Sequence, residues 1–230
     1  MKPEIIVMLT HHDVTVANAR EVFAQSADLP IQYWGFKDAG VTATEARQLV
    51  DDFKAAGKTS VLEVVTFDEK ELLDAAHLAV DSGFDYFTGS SYSDDVRDIV
   101  HGAGLSYLPF SGNVGGSPIE LKGEPDEIVE DSARIVARGA DGIDLVAYRY
   151  AAGDPVALAK ATVERVGAQN VVIAGSINSV ERMQRMQDIG PFAYTMGGAL
   201  FEGVFLDGGS FRENLERVVE LDASLTGAVQ

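Results

Sequence analysis

Eight β-rich runs alternate with helical patterns along 230 residues, glycine follows helix after helix, and no composition break or linker interrupts the series. Strands alternating with helices argue for a parallel sheet. Eight consecutive units of similar length favour closure over an open doubly wound sheet. The predicted fold class is therefore α/β, a single-domain (β/α)8 TIM barrel over residues 1–230. Such barrels use about 250 residues, so one barrel takes up nearly the whole chain.

The first run is Glu4 to Thr10, followed by a helical pattern from Val14 to Ala27. The second, Ile31 to Phe36, leads to Thr42–Ala56, with Thr42 as N-cap and Gly57 at the C-terminal end. The third, Ser60 to Thr66, precedes Asp68–Ser82, closed by Gly83; the fourth, Phe84 to Thr88, precedes Ser93–Ala103, closed by Gly104. The fifth, Leu105 to Phe110, is followed by a long connection, Ser111 to Gly123, then Pro125–Arg138 and Gly139. The sixth, Gly142 to Ala147, leads to Pro155–Val166 and Gly167. The seventh and eighth, Val171–Ile177 and the run opening at Tyr194, precede helical patterns Ser179–Ile189 and Ala199–Phe205, and an amphipathic stretch, Phe211 to Leu225, ends the series. Glycines at helix ends suit the left-handed C-cap conformation. The Ser111–Gly123 connection carries Gly112, Gly115, Gly116 and Pro118; it would lie on the catalytic face of a barrel, where long ordered loops are often lids.

A hydrophobic fraction of 46% supports a packed core. The formal net charge of −18 argues against nucleic acid and anionic membranes as partners, because both demand a basic face. With no cysteine there is no disulfide framework, thiolate nucleophile or cysteine-bound metal. The first residues lack a secretory signal pattern and no apolar run is long enough to span a bilayer, so a cytoplasmic location is expected. No Gly-x-Gly-x-x-Gly opens a helix, and no cofactor is expected. The expected assembly is a homodimer, the commonest soluble oligomer.

Side chains alternate across a strand, so parity assigns faces. Trp34 and Phe36 suit the helix layer, which turns Tyr33, Gly35 and Lys37 toward the barrel interior. Leu62 and Val64 likewise leave Val61, Glu63 and Val65 inside; Leu145 and Ala147 leave Asp144, Val146 and Tyr148 inside. Lys37, Glu63 and Asp144 thus converge from three strands as catalytic candidates, since charges within strands are costly unless paired or used. Packing alone is the competing explanation for the Lys37–Glu63 pair and for Asp144. Asp38 has the opposite parity to Lys37. His11-His12-Asp13 directly follow the first strand. Adjacent histidines point apart, which disfavours a shared metal, and no metal site is expected. His11 is a candidate acid or base, with Asp13 as an N-cap. Arg149 lies near the mouth, but its parity opposes that of Asp144.

The last two units carry the phosphate signal. Ala174-Gly175-Ser176-Ile177 and Met196-Gly197-Gly198-Ala199 remove side chains where strands stop. Main-chain N–H groups there can approach an anion, and helix N-termini just beyond add donors. A phosphate site after strands seven and eight is frequent in barrels. These segments, with Leu200-Phe201-Glu202-Gly203, resemble the terminal half of ribulose-phosphate-binding barrels. That group includes isomerases of histidine and tryptophan synthesis, ribulose-phosphate epimerase and N-acylmannosamine-6-phosphate epimerase. The resemblance implies that Gly175, Ser176, Gly197 and Gly198 bind a sugar phosphate. The first half lacks the paired aspartates of the histidine-pathway isomerase, the metal-ligand set of ribulose-phosphate epimerase and the Asp-x-Lys-x-x-Asp run of the decarboxylases. Gly35-Phe36-Lys37-Asp38, Leu62-Glu63-Val64-Val65 and Gly83-Phe84-Asp85-Tyr86-Phe87 are similar to an uncharacterised bacterial barrel family sometimes labelled 4-hydroxythreonine-4-phosphate dehydrogenase.

Three functions are consistent with these residues. The first is an isomerase or epimerase moving a proton in a small phosphorylated metabolite, with Glu63 as base and Lys37 stabilising an enolate. The second is a lyase or aldolase forming a Schiff base on Lys37. The third is a barrel that binds a phosphometabolite without turning it over.

Overall fold

The computed structural model describes residues 2–116 and 119–225. Barrel strands are β1 Glu4–Met8, β2 Tyr33–Lys37, β3 Thr59–Val64, β4 Tyr86–Gly89, β5 Ser106–Leu108, β6 Ile143–Leu145, β7 Val171–Ile173 and β8 Ala193–Met196. The helices are α1 Ala19–Ala24, α2 Ala43–Ala55, α3 Glu69–Ser82, α4 Asp94–Gly102, α5 Pro125–Ala137, α6 Pro155–Val166, α7 Val180–Ile189, α8 Gly198–Phe201 and α9 Phe211–Ser224. All eight strands run parallel in the order β6-β7-β8-β1-β2-β3-β4-β5. A parallel bridge between Phe110 and Asp144 joins the two ends, and the Asp144 N–H donates to the Pro109 carbonyl at 2.9 Å. This single contact brings the two edges together, and the sheet forms a nearly closed barrel.

Strand parity divides the core as expected. Trp34, Phe36, Leu62 and Val64 belong to the large cluster between sheet and helices, where Phe23 meets the Trp34 ring edge-on at 5.0 Å. A second cluster fills the barrel itself: Ile6, Met8, Val61, Leu108, Val172 and Ala193, with Tyr33, Tyr86 and Phe192 against it. Gly35 is required here. A Cβ at that position would lie 2.7 Å from Met8 Sδ and 2.9 Å from the Val61 carbonyl. Above this apolar plug the interior turns polar. Lys37 pairs in register with Glu63, and Glu63 with Thr88.

Local signals fix the helix ends. Thr42 caps α2 in a reciprocal capping box with Glu45, Asp68 caps α3, and Gly83 ends α3 in the left-handed conformation.

Four segments differ from the sequence expectation. The pattern from Val14 to Ala27 is helical only over Ala19–Ala24, because Val14–Thr15 turns back on Thr10–His11 as an antiparallel hairpin. The Thr15 hydroxyl holds that hairpin to β2, donating to the Lys37 carbonyl at 2.7 Å and accepting from the Lys37 N–H at 3.0 Å. The sixth run is extended only to Leu145, and Ala147–Arg149 forms a 3₁₀ turn. The helix expected over Ala199–Phe205 is the single turn Gly198–Phe201. Finally, the Ser111–Gly123 connection contains its own hairpin, Asn113–Gly115 paired with Glu120–Lys122; Pro118 lies outside the described residues.

Candidate active site

A cavity of about 370 Å³ opens at the C-terminal ends of the barrel strands. Lys37 and Glu63 line it, together with His11, Gly175, Ser176, Gly197 and Gly198. Asp144 lies beneath, 1% exposed, from the next position on the interior face of β6.

The Lys37 ammonium is the hub. It stands 2.9 Å from Asp13 Oδ1 and 3.5 Å from Glu63 Oε1, with only 6% of the residue exposed. Burial alone would depress its pKa. The charges of Glu63 and Asp13 outweigh burial, and the pKa stands above the ordinary lysine value. Burial likewise acts to raise the Asp13 pKa, but the hydrogen bond and charge of Lys37 bring it below the ordinary aspartate value. Asp144 behaves oppositely. Burial, reinforced by the neighbouring Glu63 charge, pushes its pKa well above the ordinary range, which favours the protonated form. Lys37 and Thr88 pull the other way. The Thr88 hydroxyl has one proton, however, and directs it to the Leu62 carbonyl at 3.3 Å, leaving both Asp144 oxygens without a hydrogen-bond partner.

Asp13 reaches Lys37 through a strained turn. His12 and Asp13 form the two-residue tip of the first hairpin with φ of 50° and 63°. Two-residue hairpin turns with both central residues at positive φ favour Asn-Gly. Two residues with side chains in that conformation cost about 1 kcal/mol or more each. His11, at the base of the hairpin, stacks on His12 at 3.8 Å and on Phe201 at 5.8 Å. Its Nε2 is 3.4 Å from Glu202 Oε1, close enough for charge pairing, but without the alignment of a hydrogen bond. Thr10 Oγ1, also at the cavity, is buried and unpartnered. Buried polar atoms normally have partners, so these unpartnered atoms mark where a polar ligand or water fits.

The glycine turns frame the opposite wall. Gly175 has φ of 89°, and Ser176 follows with φ of 54°. A Cβ on Gly197 would sit 3.0 Å from the Met8 and Thr10 carbonyls, whereas one on Gly198 would meet only Glu202 at 3.6 Å and His11 at 3.9 Å. Gly197 is thus fixed by packing, and Gly198 by the open space it leaves. The single turn α8 has little dipole to offer, and α7 begins at Val180, beyond Asn178. Anion recognition falls to main-chain amides and side chains.

Among the residues weighed from sequence, Asp38 and Tyr148 do not line the cavity. Tyr148 leaves because the 3₁₀ turn breaks strand alternation, and its ring lies 4.3 Å under the Arg182 guanidinium. The same turn brings Arg149 to the cavity, against its parity. Glu202 and Asp13 also join the site unforeseen. Ile119, within the long connection, covers one side and is 8% exposed. Among the described residues no cluster of three or more His, Asp or Glu side chains could hold a metal ion, and no helix is long and apolar enough to cross a membrane.

Similarity to solved structures follows this architecture. The chain is similar to tryptophan synthase from M. tuberculosis, with a TM-score of 0.70, 11% identity, and coverage of 99% of this chain and 94% of that one. The fold is a TIM barrel. It is also similar to orotidine 5'-phosphate decarboxylase from Pyrococcus horikoshii OT3, with a TM-score of 0.67, 11% identity, and coverage of 95% of this chain and 99% of the other. The native KDPGal structure matches with a TM-score of 0.66, 14% identity, and coverage of 98% and 93%. Neither a protein-family model nor a curated protein matches the chain. At these identities the likeness carries the fold and not the chemistry.

Proposed function

We propose that the protein is an isomerase or epimerase of the ribulose-phosphate-binding barrel type, acting on a phosphorylated sugar or similar small phosphometabolite by proton transfer at carbon. The observation that carries this reading is the ammonium of Lys37, held between Asp13 and Glu63 across a cavity from the glycine-lined ends of β7 and β8. In the proposed step the Glu63 carboxylate takes a proton from the carbon beside a carbonyl. The bonding pair moves onto the carbonyl oxygen, and Lys37 stabilises the resulting enolate. Return of the proton to the neighbouring carbon, with the hydroxyl proton of the first carbon passing to the enolate oxygen, gives an isomerase. Delivery to the opposite face gives an epimerase, with His11 as the second acid. Asp144 stays neutral beneath Glu63 and does not compete for Lys37. A phosphate at Gly175, Ser176, Gly197 and Gly198 would hold the reacting carbon in place.

A Schiff-base lyase needs a neutral amine. The two carboxylates that raise the Lys37 pKa act against that, which favours proton transfer. The chemistry requires neither cofactor nor metal, and we expect it to run in the cytoplasm in a homodimer.

The test is solvent deuterium exchange into a panel of aldose and ketose monophosphates, followed by NMR. Wild type is expected to wash deuterium into a carbon beside the carbonyl, and Glu63→Gln to lose at least a hundredfold in rate, a typical scale for a positioned base. Exchange that survives Glu63→Gln would remove Glu63 from the mechanism. Wild-type exchange into none of the panel would count against the reading as a whole.

A further inference from the structure

Arg149 is the exception among the arginines. The other ten, Arg47 through the Asp81 carbonyl and the rest through carboxylates or polar groups, make ion pairs or hydrogen bonds. Among the described residues the Arg149 guanidinium makes neither, in a chain where 36 acidic residues face 18 basic ones. Despite that excess of carboxylates, this one arginine has neither, at the wall of the cavity, where its charge acts on Asp13 only at longer range. Its placement is built. The 3₁₀ turn Ala147–Arg149 carries it over from β6, and its stem lies on Gly175, where a Cβ would stand 3.2 Å from Arg149 Cγ and 3.7 Å from Nε. A side chain at Gly175 would press on that stem and require it to give by a few tenths of an ångström.

The other glycine turn has the opposite electrostatics. Glu202 Oε1 stands 3.6 Å from where a Gly198 Cβ would be, so a carboxylate flanks that amide. A dianion placed there meets like charge, whereas one placed beside Gly175 meets an unpaired guanidinium.

We infer that the cavity has one anion subsite, on the β7 side, where Arg149 and the Gly175–Ser176 backbone hold a phosphate monoester, and that Glu202 keeps a second anionic group away from Gly197–Gly198. The inference rests on the phosphometabolite reading above and narrows it. The ligand is a monophosphate whose far end is uncharged and hydroxylated, facing His11, Glu202 and Thr10, and sugar bisphosphates are excluded.

Titration of inorganic phosphate into the full chain, read by calorimetry, tests it. Arg149→Ala is expected to weaken phosphate by about 10- to 100-fold, the range for a lost charge-assisted hydrogen bond. Arg149→Lys, which keeps the charge without the fork, should fall between and guards against a folding defect in the alanine variant. Glu202→Gln should tighten phosphate several-fold and allow a sugar bisphosphate to bind as well as its monophosphate. Wild-type affinity in both Arg149 variants would overturn the subsite while leaving phosphate binding itself intact. No change on Glu202→Gln would overturn the exclusion of a second anion. No binding of phosphate to wild type would overturn both this inference and the reading beneath it.

Discussion

Asp144→Asn isolates the neutral acid under the site. Asp144 is 1% exposed and both its oxygens are unpartnered, while burial and Glu63 raise its pKa. The folded chain therefore keeps a proton that the unfolded chain releases above about pH 3.9. Below that pH its contribution to stability is complete. Above it unfolding releases a proton, and stability declines as pH rises until the folded-state pKa is passed. The slope is about 1.4 kcal/mol per pH unit for one group. Asparagine has the same shape and no proton to lose, so its own packing cost is constant with pH. The assay is urea unfolding of wild type and variant at about pH 5 and about pH 6. The stability of wild type relative to the variant should fall across that unit, by up to about 1.4 kcal/mol. Titrations of groups away from Glu63 and Lys37 are common to both chains and cancel. Parallel profiles would show that Asp144 is ionised in the folded chain and would refute the neutral-acid assignment.

Three other perturbations follow from the same geometry. Lys37→Met leaves Glu63 buried without its cation, and should cost about 3–5 kcal/mol in chemical denaturation; adding Glu63→Gln should recover part of that, and strict additivity would contradict the pairing. Gly197→Ala forces a Cβ to 3.0 Å from two carbonyls, so it should lower stability by about 1–3 kcal/mol, whereas Gly198→Ala, with ordinary contacts, should melt like wild type; equal melting temperatures for the two would contradict the packing argument. Thr15→Val removes the hydroxyl that bridges the Lys37 backbone, and should cost about 1–3 kcal/mol, with faster amide exchange in the hairpin as the second readout.

The barrel and the charged layer were legible because both follow from strict alternation. Trp34 and Phe36 could only suit the helix layer, and that choice carried Lys37 inward; Leu62 and Leu145 did the same for Glu63 and Asp144. Thr42 and Gly83 announced helix ends by chemistry that acts within a few residues. What failed was whatever depended on contacts distant in sequence. The His12–Asp13 turn contains neither glycine nor asparagine, so nothing local marks it; it is held by Thr15 on the Lys37 backbone, 22 residues away. Val14 and Val16 instead extended an apolar helical period. The parity argument for Tyr148 and Arg149 assumed that β6 continues, but it stops at Leu145. The 3₁₀ turn that follows exchanges their places, removing the tyrosine and supplying the arginine. A glycine at 175, with φ of 89° and Arg149 lying on it, was the signal that could have linked the two segments, but sequence alone does not show which side chain a glycine makes room for.

The most direct measurement is a crystal structure of the full chain with the monophosphate that exchanges fastest. The account predicts phosphate against Gly175 and Ser176 facing Arg149, and the carbonyl carbon between Lys37 and Glu63. A phosphate seated outside the cavity, or a substrate carbon turned away from Glu63, would contradict it.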